Sequence, residues 1–249
     1  MALQTLRFLL RPNRPALKIF DHLLVARPLT LSSHLLLHQK RSVSDTRAIN
    51  IEKESFLQNL VNRLRLQLKK YKLRSSGYLL YESIADHIDY DTFTIEMNLP
   101  DTFHTWFVIT ELHVWMLMAR LMVEGEEGKF ARNCLVEALW QDVSARAKNL
   151  GQEHPSIIRK QIIILNEEFQ AALVSYDEGL LGEDRVLANA LWRRFFDRSC
   201  DNVVLLEAMV KYVRQTMFLL DRMNIEDLLF KRNIRWVTKT ELFEDLPPK

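Results

Sequence analysis

Apolar residues recur along most of this chain at three- and four-residue intervals, the spacing that gathers side chains on one face of an α-helix. The pattern is densest between residues 97 and 128. Pro100 and Asp101 form a helix entrance there, because proline suits a first turn and a carboxylate can accept amide hydrogens that lack an intrahelical partner. Gly125 and Gly128 close the stretch. Between them Phe103, Phe107, Thr110, Val114, Leu117 and Leu121 fall on one stripe, and Val108, Leu112, Trp115, Ala119 and Met122 cover much of the opposite side. A helix apolar nearly all round belongs inside a bundle.

Polar groups on this helix are confined to two narrow lines, His104 with Glu111, and Thr102, His113, Arg120 and Glu124. About 24 residues at 1.5 Å rise give roughly 36 Å, enough to cross a bilayer. Glu111, His113 and Arg120 near the middle would be costly in lipid, so the expectation is a buried helix of a soluble body.

Further helices are predicted on both sides. Residues 49–74 carry Ile51, Phe56, Leu60, Leu64 and Tyr71 at helical spacing, with Arg63, Arg65, Lys69, Lys70, Lys72 and Arg74 toward the end, and Ser75 to Gly77 are expected to break the helix. Tyr78 to Ile88 reads as the next, followed by a short helix capped by Thr92. Phe130 to Leu150, Pro155 to Gly179, Glu183 to Arg198 and Val203 to Met223 follow, the last capped by Asp201 or Asn202. Residues past the short IEDLLF turn are expected to be poorly ordered. The predicted class is all-α: one helical bundle domain, about seven main helices around a buried central one, spanning 48–230, with a tail over 231–249.

Composition supports helices, since 48% hydrophobic residues supply a core and only 6 Gly and 7 Pro among 249 residues leave little material for turns. The net charge of +2 hides an asymmetry. Residues 1–47 hold eight basic groups against Asp21 and Asp45, a balance of 8 − 2 = +6, which leaves −4 for the remainder. An Arg-bearing, Leu-rich, nearly acid-free beginning interrupted by prolines has the features of a mitochondrial presequence, with cleavage expected between Arg41 and Arg47. The mildly acidic body gives no case for DNA binding.

Catalytic signatures are missing. The chain holds no phosphate loop, CxxC pair, HExxH or nucleophile elbow, and no Glu-x-x-His of the kind di-metal bundles use. Glu111 and His113 stand two residues apart and point in nearly opposite directions, so one helix cannot bring both to a metal. No catalytic residue, metal or cofactor is expected. Cys134 and Cys200 read as small apolar side chains. Two readings remain for the basic groups at Lys69 and Lys70, a solvated helix end or a contact with anionic lipid or ribosomal RNA. His104, Glu111, His113 and Arg120 are expected to make buried or rim hydrogen bonds across the bundle, since partly buried charges need partners. Docking of another subunit is the second reading, and His113, Arg120, Arg193 and Arg194 join the lysines as candidate partner-binding residues, since Arg anchors are favoured at interfaces. Asp177 and Glu178 oppose the dipole at a helix end, and Arg193 and Arg194 are candidates to offset them. A ferritin-like or lipid-modifying enzyme with His104, Glu111, His113 and Arg120 as its site, and a ribosome-associated structural adaptor, are the competing function classes.

Four blocks narrow the choice. LPDTFHTWFVITELHVWMLMARL (99–121), LWQDVSARAKNLG (139–151), YDEGLLGEDRVLANALWRRFF (176–196) and YVRQTMFLLDRMNIEDLL (212–229) resemble, in order and spacing, the ubiquinol-cytochrome c chaperone family. That resemblance implies an all-α mitochondrial assembly factor for complex III without a catalytic site. It further implies a small second assembly factor as partner, action near the exit tunnel of the mitochondrial ribosome, and the holding of newly made cytochrome b. The expected location is the matrix, peripherally on the inner membrane.

Overall fold

The computed structural model describes residues 43–150, 155–231 and 234–237, so residues 1–42 of the expected presequence lie outside the described residues. Two compact units divide the chain, Met1–Arg65 and Leu66–Lys249. The described part of the first is helical, the start of α1 (Val43–His87). The rest of α1 and all that follows belong to the second: α2 (Tyr90–Glu96), α3 (Phe103–Met122), α4 (Gly125–Leu150), α5 (Pro155–Leu181), α6 (Asp184–Arg194), α7 (Val203–Asp221) and a turn of π-helix at Asp227–Lys231. No strand occurs among the described residues, and the expected all-α class is what they adopt.

α3 is the central helix the pattern foretells. Phe107, Ile109, Leu112, Val114, Met116, Leu117 and Leu121 are wholly buried, and α2, α4, α5 and α7 all pack on it. Burying each such side chain contributes about 1.5–3 kcal/mol. Its amino end is fixed one residue later than expected: Thr102, not Asp101, accepts the Thr105 amide hydrogen at 3.2 Å, while the Thr105 hydroxyl donates to the Pro100 carbonyl at 2.5 Å. Likewise Asp89 caps α2 by accepting from the Thr92 amide at 3.0 Å, so Thr92 sits inside the first turn instead of capping it. Asn202 caps α7 as expected, through the Val204 amide at 3.0 Å.

Two glycine-based expectations fail for the same reason. Gly77 does not end a helix, because α1 runs through it and Ser76 keeps its hydroxyl bonded to the Lys72 carbonyl at 2.8 Å. A Cβ at Gly77 would stand 2.5 Å from Cys134 Cβ and 2.6 Å from the Ala131 carbonyl oxygen, so the residue permits close packing of α1 on α4. Gly128 lies within α4, where a Cβ would meet the Leu121 carbonyl, and only Gly125, at φ 63°, serves the turn. No helix among the described residues is long and apolar enough to cross a membrane.

Over residues 234–237 the tail differs from the sequence reading, while residues 232–233 and 238–249 lie outside the described residues. Ile234 and Trp236 are buried and belong to the same core as α3.

Candidate functional site

The polar residues of α3 point three ways, and each is engaged by a different element. Glu111 is fully buried and meets Arg194 of α6 through a two-pronged ion pair, Arg194 Nε donating to Oε1 at 2.9 Å and Nη2 to Oε2 at 2.7 Å. Arg194 Nη1 donates at 2.9 Å to Glu168 of α5, so one guanidinium ties three helices together. Burial pushes the Glu111 carboxyl up to about 7, opposed by the hydrogen bond and charge of Arg194. The same burial pulls on Arg194, yet Glu111 holds it above its ordinary value. Two short forked bonds fit the ionised pair. His104 is exposed at the rim, and its ring is held below its usual value by partial burial and then by the Arg194 charge.

On another side, His113 is wholly buried among rings: Phe93 of α2, Tyr212 of α7 and Trp236 of the tail meet it edge-on at 5.6, 5.6 and 5.1 Å between centroids. Its Nδ1 lies 2.7 Å from the Ile109 carbonyl oxygen, which can only accept, so the proton resides there. Nε2 then accepts from the Tyr212 hydroxyl at 2.5 Å. Burial lowers the ring to about 4, and the imidazole is neutral.

Arg120, near the end of α3, closes the end of α7. Nε donates to the Leu220 carbonyl and Nη2 to that of Met223, both at 3.0 Å, and Nη1 to Glu124 at 2.6 Å. The Leu220 carbonyl, which also accepts the Met223 amide at 3.1 Å, and that of Met223 lie at the helix end, where a cation complements the helix dipole. Arg214 does the same for α5, donating to the Leu180 carbonyl at 2.6 Å and the Gly182 carbonyl at 2.8 Å while Nε bonds Asp184 at 3.0 Å. This second clamp is unsigned in the sequence, because a cation inside one helix says nothing about which other helix end it meets.

Asp177, expected to seek Arg193 or Arg194, instead accepts from Trp115 Nε1 at 2.7 Å. The core indole needs an acceptor, and Arg194 is committed to Glu111. A further network joins Tyr81 to Asp142 at 2.7 Å and Asp142 to Arg146, whose guanidinium lies 4.3 Å from the Trp106 ring centroid.

Of the candidate partner-binding residues, then, His113 and Arg120 have their polar atoms occupied inside the bundle, and Arg194 is largely so. Lys70 and Arg193 are exposed, as is Lys69, which pairs with Glu127 of α4. His104, Glu111, His113 and Arg120 do not converge. No group of three His, Cys, Asp or Glu among the described residues is placed to hold a metal ion.

Comparison with known proteins places this arrangement. A family model described as ubiquinol-cytochrome C chaperone matches residues 96–236, from the end of α2 to the buried tail tryptophan. Ubiquinol-cytochrome c reductase complex assembly factor 1 of Drosophila melanogaster is 52% identical over 172 residues, 68% of this chain and 66% of that protein. Its human counterpart is 40% identical over 171 residues, 69% of this chain and 57% of that one. The mitochondrial protein CBP3 of Saccharomyces cerevisiae is 30% identical over 186 residues, 72% and 54% of the two chains. These alignments span from 54% to 66% of the relatives' own lengths. The crystal structure of the Cbp3 homolog from Brucella abortus shares the fold, with a TM-score of 0.58 at 21% identity over 70% of this chain and 96% of that one.

Proposed function

The chain belongs to the ubiquinol-cytochrome C chaperone family, and from that premise we propose that it is a mitochondrial assembly factor for complex III that binds newly made cytochrome b. The observation that carries this reading is the extent of the family match, which takes in α3 and the hydrogen-bond partners of Glu111, His113 and Arg120 alike. Those groups spend their hydrogen-bonding capacity on each other, so the chemistry available to a client is that of the outer surface. Exposed apolar side chains suit a client whose membrane-spanning segments would otherwise aggregate.

Action beside the mitochondrial ribosome, with a small second assembly factor, on the matrix face of the inner membrane, completes the proposal. Lys70 and Arg193, exposed on α1 and α6, are the cations that would meet ribosomal RNA or anionic lipid. Support for import comes from the +6 balance over residues 1–47. Removing the protein from cells tests the whole reading. Cytochrome b and complex III are expected to fall while other respiratory complexes at first persist, and unchanged cytochrome b would refute it.

A further inference from the structure

α5 has two apolar faces, and the bundle uses one. Leu165, Phe169, Ala172 and Tyr176 are buried. Away from them runs a second line, Ile157, Lys160, Ile164, Glu167, Ala171, Val174, Glu178 and Leu181, and every one of these residues is exposed. Ile157 is 53% exposed, Ile164 46%, Val174 60% and Leu181 90%, values that leave the four largest apolar side chains of the line open to solvent. Steps of three and four alternate without a slip, the heptad repeat by which two helices wind left-handedly about each other.

The order of residues along the line is symmetric in chemistry. Counting outward from Phe169, Ile157 has Leu181 as its counterpart, Lys160 has Glu178, Ile164 has Val174, and Glu167 has Ala171. Two copies of α5 laid antiparallel, with a twofold axis beside residue 169, bring each residue against its counterpart. Apolar meets apolar at both ends and on both sides of the centre, and lysine meets glutamate twice. Only the central Glu167 has no opposite charge, and it faces the small Ala171, which leaves its carboxylate room to turn to water. A partner of unrelated sequence would have no reason to be matched by this symmetry, whereas a twofold interface requires it.

We infer that the outer face of α5 is the contact for a second copy of this chain, forming an antiparallel two-helix seam. The seam is about 36 Å long, from roughly 24 residues at 1.5 Å rise. One such seam is at the small end of stable interfaces, so the dimer is in exchange with monomer.

Sedimentation velocity of the purified full chain over a concentration series tests this. Wild type is expected to shift from monomer to dimer. Lys160→Glu and Glu178→Lys should each weaken the dimer about tenfold or more, since like charges then face each other at two symmetric places, and the double reversal should restore it. Val174→Glu should weaken it further, while Glu167→Leu should tighten it, because a heptad core position becomes apolar. All four positions are exposed, and unchanged circular dichroism would confirm that the variants fold. A wild-type chain that stays monomeric at about 100 μM, a weak-affinity range, overturns the inference. A dimer indifferent to Val174→Glu or to the single charge reversals does so equally.

Discussion

Arg194 bonds two carboxylates from two other helices while its guanidinium stands 5.9 Å from the Phe107 ring centroid. Removing one partner of a buried pair strands the other, which costs about 3–5 kcal/mol, whereas replacing both with apolar groups of similar volume is often neutral. Glu111→Leu is therefore expected to lower the unfolding free energy by about 3 kcal/mol or more, and Glu111→Leu with Arg194→Met to recover most of that in a urea titration. Equal losses in the single and double variants would mean that the pair stabilises the fold outright. His113 gives a pH signature. Its folded value of about 4 lies below the ordinary 6.5, so an unfolded chain binds a proton the native one refuses. The neutral ring's contribution is complete above pH 6.5 and is lost as the pH falls toward 4. Glu111 acts with the opposite sign, its raised carboxyl favouring the native state at acid pH. Comparing wild type with His113→Phe, at pH 7.5 and 5.0, removes that shared background. Wild type should lose more stability than the variant between the two, and parallel losses would show that the ring protonates without unfolding.

At the scale of elements, α3 is the most legible part of the sequence, because its apolar residues cover the helical circumference except for narrow polar lines. Capping is legible to within three residues. Asn202 caps as expected, Asp101 gives way to the adjacent Thr102, and Thr92 gives way to Asp89 three residues earlier, whose side chain reaches the right amide. Ser75 to Gly77 misled, since local breaking tendency is weak beside tertiary packing. A side chain at Gly77 would be driven into the Ala131 carbonyl, and backbone cannot yield as a flexible side chain can. Gly77→Val is accordingly predicted to cost about 1–3 kcal/mol, seen as a lowered melting temperature, with the near-ultraviolet signal of the α4 residue Trp140 altered. Ser75→Ala, exposed on the same helix, should do neither. Trp236 was illegible for a different reason. It belongs to no periodic run, so only the fold reveals that it closes the ring cage around His113. The Glu111–Arg194 pair was equally hidden, its members lying 83 residues apart on helices whose pairing no local pattern specifies.

Among the described residues, the charged and aromatic interior holds helices in register, and the outer faces are where the proposed contacts would be made. That division explains why the sequence told more about class than about surfaces. Periodicity reports what is buried, and four blocks of residues identified the family, yet neither says which exposed side chains meet a client. It also fits the expectation for His113 and Arg120: polar positions on an apolar helix need partners, and both bond across the bundle. The central claim is that this chain holds cytochrome b during its maturation. Crosslinking in intact mitochondria through a photoreactive residue at exposed positions of α1, α5 and α6, followed by identification of the attached chains, tests it most directly. Newly made cytochrome b attached at one or more of these faces is the predicted result; crosslinks to other chains, with cytochrome b never among them, would contradict the account.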